Sequence, residues 1–390
     1  MQPKTRVSYE AKDLNTLKRT IRNISVPLKE RKNNPRYATK LPDIVGIKIT
    51  NNCNLRCKHC YEWGKKGYHM NMDKEEQQRD IDLKLFEKIL NETKELKSRL
   101  YLWGGEPLCH KQFDKIADML VQDPREIAIC TNTLMFDNNL DSLIKISDNL
   151  ELLIPIEGFE EAHDLIRGKG NFKKVVESVK LLIDLKRKGI YKGKISIHSV
   201  INDNICDRLY ELVEFFEGLG VDMVFLAYPW YISEETACKM DKYFKDNFYW
   251  LEEANKKKNK SWHCFKYKIS PESLENLKEQ VKKVCSKVWN IRVRFQPDLD
   301  IEDIKSFVFG AEVESLKCRN CLAVSTRMDI LADGSVSSCK YFSEFTIGNI
   351  KDGSISEIWH SEQYGRIREV VNSGISPICS KCNLLYLNGK

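Results

Sequence analysis

Between residues 44 and 230, short runs of β-branched and apolar residues alternate with longer stretches whose apolar positions recur at helical spacing. The first pattern suits strands, whose side chains alternate between two faces, and the second suits helices packed by one side. Strands are predicted at 44–50, 99–103, 127–131, 152–156, 194–201 and 222–227. Helices fall between them at 82–96, 110–121, 139–146, 172–188 and 205–219. Such alternation predicts parallel βαβ units. Six strands in series fit a curved sheet better than a long open one, so the expected fold is α/β, a partial (β/α)6 TIM-like barrel. Chemistry in such folds sits at the C-terminal ends of the strands.

The pattern breaks on both sides of this region. Residues 231–310 are helical in pattern and strongly charged, with a strand-like stretch at 291–295, and residues 311–390 carry short strand and turn signals among cysteines. Residues 1–43 hold an amphipathic stretch at 14–24 and many basic side chains. Four segments result: a basic N-terminal arm (1–43), the barrel (44–230), a helical, charged extension (231–310) and a small cysteine-rich domain (311–390).

Composition adds two constraints. With 42% hydrophobic and 31% charged residues, the 390-residue chain is long enough to bury a core without covalent staples. Its N-terminus lacks the apolar run of a secretory signal, and its longest apolar run, near 223–232, is about half the ~20 residues of a membrane span. A cytoplasmic protein with reduced thiols is expected, and 14 cysteines then call for metal. The formal charge of +7 is unevenly placed: residues 1–42 carry a net +8 and the rest −1. That distribution disfavours a general nucleic-acid binder. The arm is expected to steer an acidic partner or to cap the barrel.

Directly after the first strand comes Cys53-x3-Cys57-x2-Cys60-Tyr61. Three thiolates on one loop can share a metal centre and leave one position open for catalysis. Zinc, with His59 or His69 as a fourth ligand, is one reading of the spacing. The second strand ends in Gly104-Gly105-Glu106-Pro107-Leu108-Cys109. Glycines there let carbonyls approach a ligand closely, and Glu106 supplies negative charge suited to an ammonium. Near the C-terminus lie Cys318-x2-Cys321, Gly334, Cys339 and Cys379-x2-Cys382, with Asp333-Gly334 marking a hairpin turn. Paired C-x2-C spacings are a strong metal signal, and structural zinc is the plain alternative.

The cysteine loop and the Gly-Gly-Glu-Pro turn together resemble the radical S-adenosylmethionine (SAM) superfamily. The resemblance implies that Cys53, Cys57 and Cys60 hold a [4Fe–4S] cluster, that SAM chelates the fourth iron, and that Tyr61 lies near the adenine. It further implies SAM contacts at Gly104, Gly105 and Glu106. Cys130-Thr131-Asn132-Thr133 stands where relatives carry Thr-Asn-Gly, and Arg167 where a partner of the SAM carboxylate is found. Pro155 replaces a ribose-binding serine.

The C-terminal cysteines resemble the SPASM/twitch extension of radical SAM peptide and protein maturases. That likeness implies one auxiliary iron–sulfur cluster of [4Fe–4S] type on Cys321, Cys339, Cys379 and Cys382, with Cys318 as a spare or an alternate ligand. The further cysteines of a full SPASM pattern are absent from the eight residues after Cys382. By resemblance, SAM is cleaved reductively to methionine and a 5′-deoxyadenosyl radical, which takes hydrogen from an unactivated carbon. A reductase, flavodoxin or ferredoxin would supply the electron.

A ribosomally made peptide is the first substrate expected, cross-linked, joined by a thioether or epimerised; a small molecule such as an aminoglycoside precursor is the alternative. Lys340 stands where sulfatase maturases carry a proton-accepting Asp, which argues against that activity. A 43-residue arm is too short for a winged-helix leader-binding domain of ~80 residues, so leader binding would fall to the arm, the barrel mouth or a separate protein. Cys109, close after the Gly-Gly-Glu turn, is a candidate hydrogen donor, with Cys238 and Cys264 as others. A zinc protein binding nucleic acid through its arm is the rival from another class.

Overall fold

Helix α1 (Ala11–Glu30) leads into strand β1 (Ile44–Thr50), which sets the logic of the sheet. Val45, Ile47 and Ile49 point to one side and are fully buried, while Gly46, Lys48 and Thr50 point to the other. The structure, a computed structural model, describes residues 2–6, 11–251, 260–311 and 320–388.

Strands β2 (Arg99–Gly104), β3 (Ile127–Cys130), β4 (Leu150–Pro155), β5 (Lys194–Val200) and β6 (Met223–Ala227) follow, each parallel to its predecessor. Their register lines up Ile47, Leu102, Ile129, Leu152 and Ile195 in one apolar row. Helices α2 (Leu83–Glu92), α3 (Phe113–Gln122) and α4 (Phe136–Lys145) pack against it in one continuous core, Phe86, Ile116 and Leu143 among their buried residues. After the short α5 (Glu160–Arg167), α6 (Asn171–Arg187) and α7 (Leu209–Leu219) continue that layer through Val179 and Leu212.

Parallel strands covered on both faces read as nearly unbroken apolar runs. Several of these do not, because polar side chains interrupt the second face: Tyr101, Glu151 and Lys194 stand in one row there with the small Gly46 and Ala128. This inner face of the partial barrel is a site rather than a core.

The extension does more than link. After α8 (Glu234–Asn247), helix α9 (Leu274–Ser286) lies beside α7, where the Tyr210 amide donates to Gln280 Oε1 at 3.0 Å. Strand β7 (Arg292–Gln296) then joins β6 in parallel, a seventh strand in the barrel series. At the opposite edge the cysteine-rich segment adds β8 (Arg327–Ile330), parallel to β1, and antiparallel β9 (Ser335–Ser337) and β10 (Thr346–Asn349). Gly334 takes φ +87° at the expected hairpin turn. Ten strands therefore form one sheet from extension to cysteine-rich segment.

The arm is docked along this assembly. Arg19 Nε donates to both Asp43 carboxylate oxygens at 2.8 and 2.9 Å. Buried Arg31 reaches the Cys321 carbonyl at 2.7 Å, and Arg36 pairs with Glu362 and Glu369. Among the described residues no helix is long and apolar enough to cross a membrane.

Candidate active site

The loop after β1 carries Cys53, Cys57 and Cys60, all free thiols. Each sulfur accepts a donor: the Leu55 amide at 3.5 Å, Arg167 Nη1 at 3.5 Å and the Trp63 amide at 3.2 Å, respectively. The loop is tied down by Trp63 Nε1 on the Asn51 carbonyl at 2.9 Å and by the Lys58 amide on the Ile166 carbonyl at 3.0 Å. Burial pushes all three thiols up, Cys60 to about 11, so proton loss awaits a cation. Among the described residues no group of three or more His, Cys, Asp or Glu side chains is gathered to hold a single metal ion.

Both histidines offered as a fourth zinc ligand are engaged through Nε2. His59 Nε2 is bonded to Glu157 Oε1 at 3.0 Å, and His69 Nε2 meets Lys48 Nζ at 2.7 Å while its ring stacks on Trp63. Burial, then Lys48, lowers His69 to about 4.

The glycines after β2 are required by the cysteine loop itself. A Cβ on Gly104 would lie 2.1 Å from the Thr50 carbonyl oxygen, and one on Gly105 2.2 Å from that of Asn52. That close approach lets the Gly105 and Glu106 amides donate to Thr50 and Asn52 at 3.0 and 2.8 Å. Glu106 is fully buried. Its carboxylate accepts from Thr131 Oγ1 at 2.6 Å, the Asn132 amide at 2.7 Å and the Leu108 amide at 3.1 Å. Burial nonetheless raises it, as expected of a carboxylate waiting for a cation. Asn132 Nδ2 donates to Asn54 Oδ1 at 2.8 Å, so the loops after β1, β2 and β3 form one network. Cys109 lies on the same rim, half-buried and pushed up to about 11 by burial and Glu106.

Arg167 is committed to protein groups. It donates to Glu157 Oε1 through Nε at 3.0 Å and through Nη2 at 2.5 Å, besides its contact with Cys57. Burial pushes Glu157 up, but Arg167 and His59 outweigh it and hold the carboxyl far below its usual range. Tyr61 stacks one ring face on Phe265, with centroids 4.4 Å apart, and meets Tyr341 edge-on at 6.2 Å. The cysteine loop, the extension and the C-terminal segment thus meet at one aromatic cluster.

Cys321, Cys339, Cys379 and Cys382 line one cavity of about 70 Å³ with apolar walls that include Phe342 and Phe345. All four thiols are free and pushed up by burial. Arg31 and Arg368 are buried here with carbonyls, not carboxylates, as their hydrogen-bond partners. Arg31 sets a buried positive charge beside the Cys321 thiol, which suits an anionic thiolate-bound cluster. Cys318 lies outside the described residues.

Lys48 and Glu62 carried no sequence signal, and what His59, His69 and Lys340 would touch was not legible from their places in the chain. Burial, then Arg327, lowers the Lys340 ammonium to about 8.

A cysteine loop at the mouth of a partial barrel, with a buried carboxylate beside it and a four-cysteine cavity behind, is the architecture of an iron–sulfur enzyme. Residues 47–223 match the family model for the radical SAM superfamily, and residues 318–383 match that for SPASM, an iron–sulfur cluster-binding domain. The chain belongs to the radical SAM superfamily, as an enzyme with a C-terminal SPASM domain. It is 23% identical over 347 residues to the tungsten-containing aldehyde ferredoxin oxidoreductase cofactor-modifying protein of Pyrococcus furiosus, covering 87% of this chain and 86% of that one. It is 26% identical over 147 residues to the antilisterial bacteriocin subtilosin biosynthesis protein AlbA of Bacillus subtilis, covering 37% and 31%. Its fold resembles that of Streptococcus suis SuiB bound to precursor peptide SuiA, with a TM-score of 0.58 at 16% identity, covering 93% and 72%. SAM, a radical SAM [4Fe–4S] cluster and auxiliary iron–sulfur chemistry come with the family.

Proposed function

We propose that this enzyme uses SAM radical chemistry to modify a ribosomally made peptide. The observation that carries the reading is a barrel whose inner face is polar and walled by three segments of the chain, in the fold that SuiB uses with its precursor peptide. The likeness to AlbA, a bacteriocin biosynthesis protein, points the same way. The relative from Pyrococcus furiosus, which matches along most of both chains, supports a second reading, a small molecule or cofactor as substrate.

Cys53, Cys57 and Cys60 would hold the catalytic cluster, which together with SAM would supply radical hydrogen-abstraction chemistry. Glu106, with Thr131 and Asn132 fixing its oxygens at the mouth of β2 and β3, would receive the SAM ammonium. Gly104 and Gly105 hold the cysteine loop against that carboxylate. Arg167 orients Glu157 and balances the charge of the Cys57 thiolate, and Tyr61 walls the site. Cys321, Cys339, Cys379 and Cys382 would hold one auxiliary cluster, with Arg31 beside Cys321 offsetting its negative charge. Cys109 on the rim is a candidate hydrogen donor, and the electron comes from a flavodoxin- or ferredoxin-type donor.

The test is anaerobic reconstitution followed by SAM and dithionite. The protein is expected to bind about eight iron and to release 5′-deoxyadenosine. Replacing Cys53, Cys57 and Cys60 with Ala is expected to abolish that release; release by the triple variant would refute the assignment. Precursor peptides encoded beside the gene, followed by mass spectrometry, separate the peptide from the small-molecule reading.

A further inference from the structure

The inner face of β2 presents Tyr101 and Trp103, paired in register with Gly46 and Lys48 of β1. The next strand at that edge, β8, presents Arg327 and Asp329 on the same face. Most charges there are already spent. Lys48 donates to Glu62 Oε1 at 2.8 Å, and Arg327 grips Asp329 through two bonds of 2.8 and 2.6 Å. Lys340, which follows Cys339 and also lines the four-cysteine cavity, has no such pair. Its Nζ lies 4.2 Å from the ring centroid of Tyr101, 5.0 Å from that of Tyr341 and 5.4 Å from that of Trp103. Among the described residues no carboxylate pairs with it. Ring faces can park a half-buried ammonium, and Asp329 and Glu62 attract it only from beyond ion-pair distance, so a closer anion is still to be gained.

A second group on the same face is unsatisfied. Trp103 is only 5% exposed, and its indole Nε1–H is buried with no hydrogen-bond partner. Indole is a donor only, so what it awaits is an acceptor. An unpaired cation and an unpaired donor, close together above one strand end, call for the same ligand atom type. A carboxylate oxygen satisfies both.

We infer that Lys340 and Trp103 form a carboxylate-binding subsite on the inner face of the barrel, which seats an acidic group of the substrate. Tyr101 and Tyr341 wall it and keep out water. The inference rests on the reading of this face as the substrate cavity, and it narrows the substrate class to one that presents a carboxylate: a peptide with an Asp or Glu side chain, or a free carboxylic acid.

The experiment uses the reconstituted holoenzyme with SAM and calorimetric titration of capped pentapeptides that differ only in a central Glu or Gln, with glutarate as a third probe. The Glu peptide is expected to bind about 10- to 100-fold more tightly than its Gln twin, the value of a charge-assisted hydrogen-bond pair. Lys340→Gln is expected to erase that preference and Lys340→Arg to keep it; Trp103→Phe weakens the Glu peptide more than the Gln one. Glutarate binding as tightly as the Glu peptide would support the subsite with a free acid as its ligand. Equal binding of the twins by the unaltered enzyme overturns the inference, as does failure of every carboxylate probe to bind at millimolar concentration. So does a preference that survives in Lys340→Gln, especially if that variant instead shifts the potential of the auxiliary cluster. Release of 5′-deoxyadenosine without any probe reports on the radical chemistry separately.

Discussion

Glu106 shows how a single buried residue is set up by its neighbours. Three donors fix both of its oxygens while burial raises its proton affinity, so a bound cation gains more here than at the surface. Glu106→Gln keeps the shape and removes the charge; SAM affinity is expected to fall about 10- to 100-fold by equilibrium dialysis, with folding retained. Buried histidines give the protein an acid limit. Burial lowers His69 and His163 to about 4 each, and His163 Nδ1 accepts the Glu157 amide, which requires the neutral ring. Between about pH 6.5 and 4 the unfolded chain therefore binds the extra protons, so stability is whole above that window and falls as pH drops through it. The loss is of the order of 3 kcal/mol per histidine. Urea midpoints measured across the window check this, and His163→Gln is expected to remove about one proton of the dependence.

Edge strands decide more than their length suggests. Residues 44–50 were legible as a strand from alternation alone, but the reason for glycine at 46 was not. A Cβ there would lie 1.9 Å from Asp329 Oδ1 and 2.4 Å from Arg327 Nη2, both on β8. Gly46→Ala is expected to cost about 1–3 kcal/mol and to loosen the hairpin first, seen as faster amide exchange in β8 and β9 than in β2 and β3. The six strands of the barrel were legible because each buries one apolar face under an amphipathic helix, a local periodic signal. Strand β7 had the same signal at 291–295, yet its place beside β6 was not legible, since about sixty residues of charged helical sequence separate the two.

At the scale of the whole molecule, the basic arm links the barrel to the SPASM segment. Arg19 holds it to Asp43 beside β1, and Arg31 reaches under Cys321 from a distance of 290 residues in the chain. Much of the arm's excess charge is thus structural. Arg31→Met removes positive charge beside the auxiliary site, so the potential of that cluster is expected to fall by tens of millivolts, measured by redox titration with paramagnetic resonance. Cys379→Ala is expected to halve the bound iron to about four while the SAM-binding cluster keeps its spectrum.

The sequence by itself determined the βα series, the radical SAM loop with its Gly-Gly-Glu turn, and the four C-terminal cysteines that share one cavity. Each is a short-range pattern, written in spacing that a reader can follow along the chain. Tertiary structure alone decided which groups remain without partners. Arg167 and His59 proved to be occupied with Glu157, and Lys48 with Glu62, whereas Lys340 and the Trp103 indole are left to wait for a ligand. Pairing of buried charge depends on which side chains meet at the mouth of the barrel, and no spacing along the chain, whether 10 residues for Arg167 and Glu157 or 98 for His59 and Glu157, marks the partners.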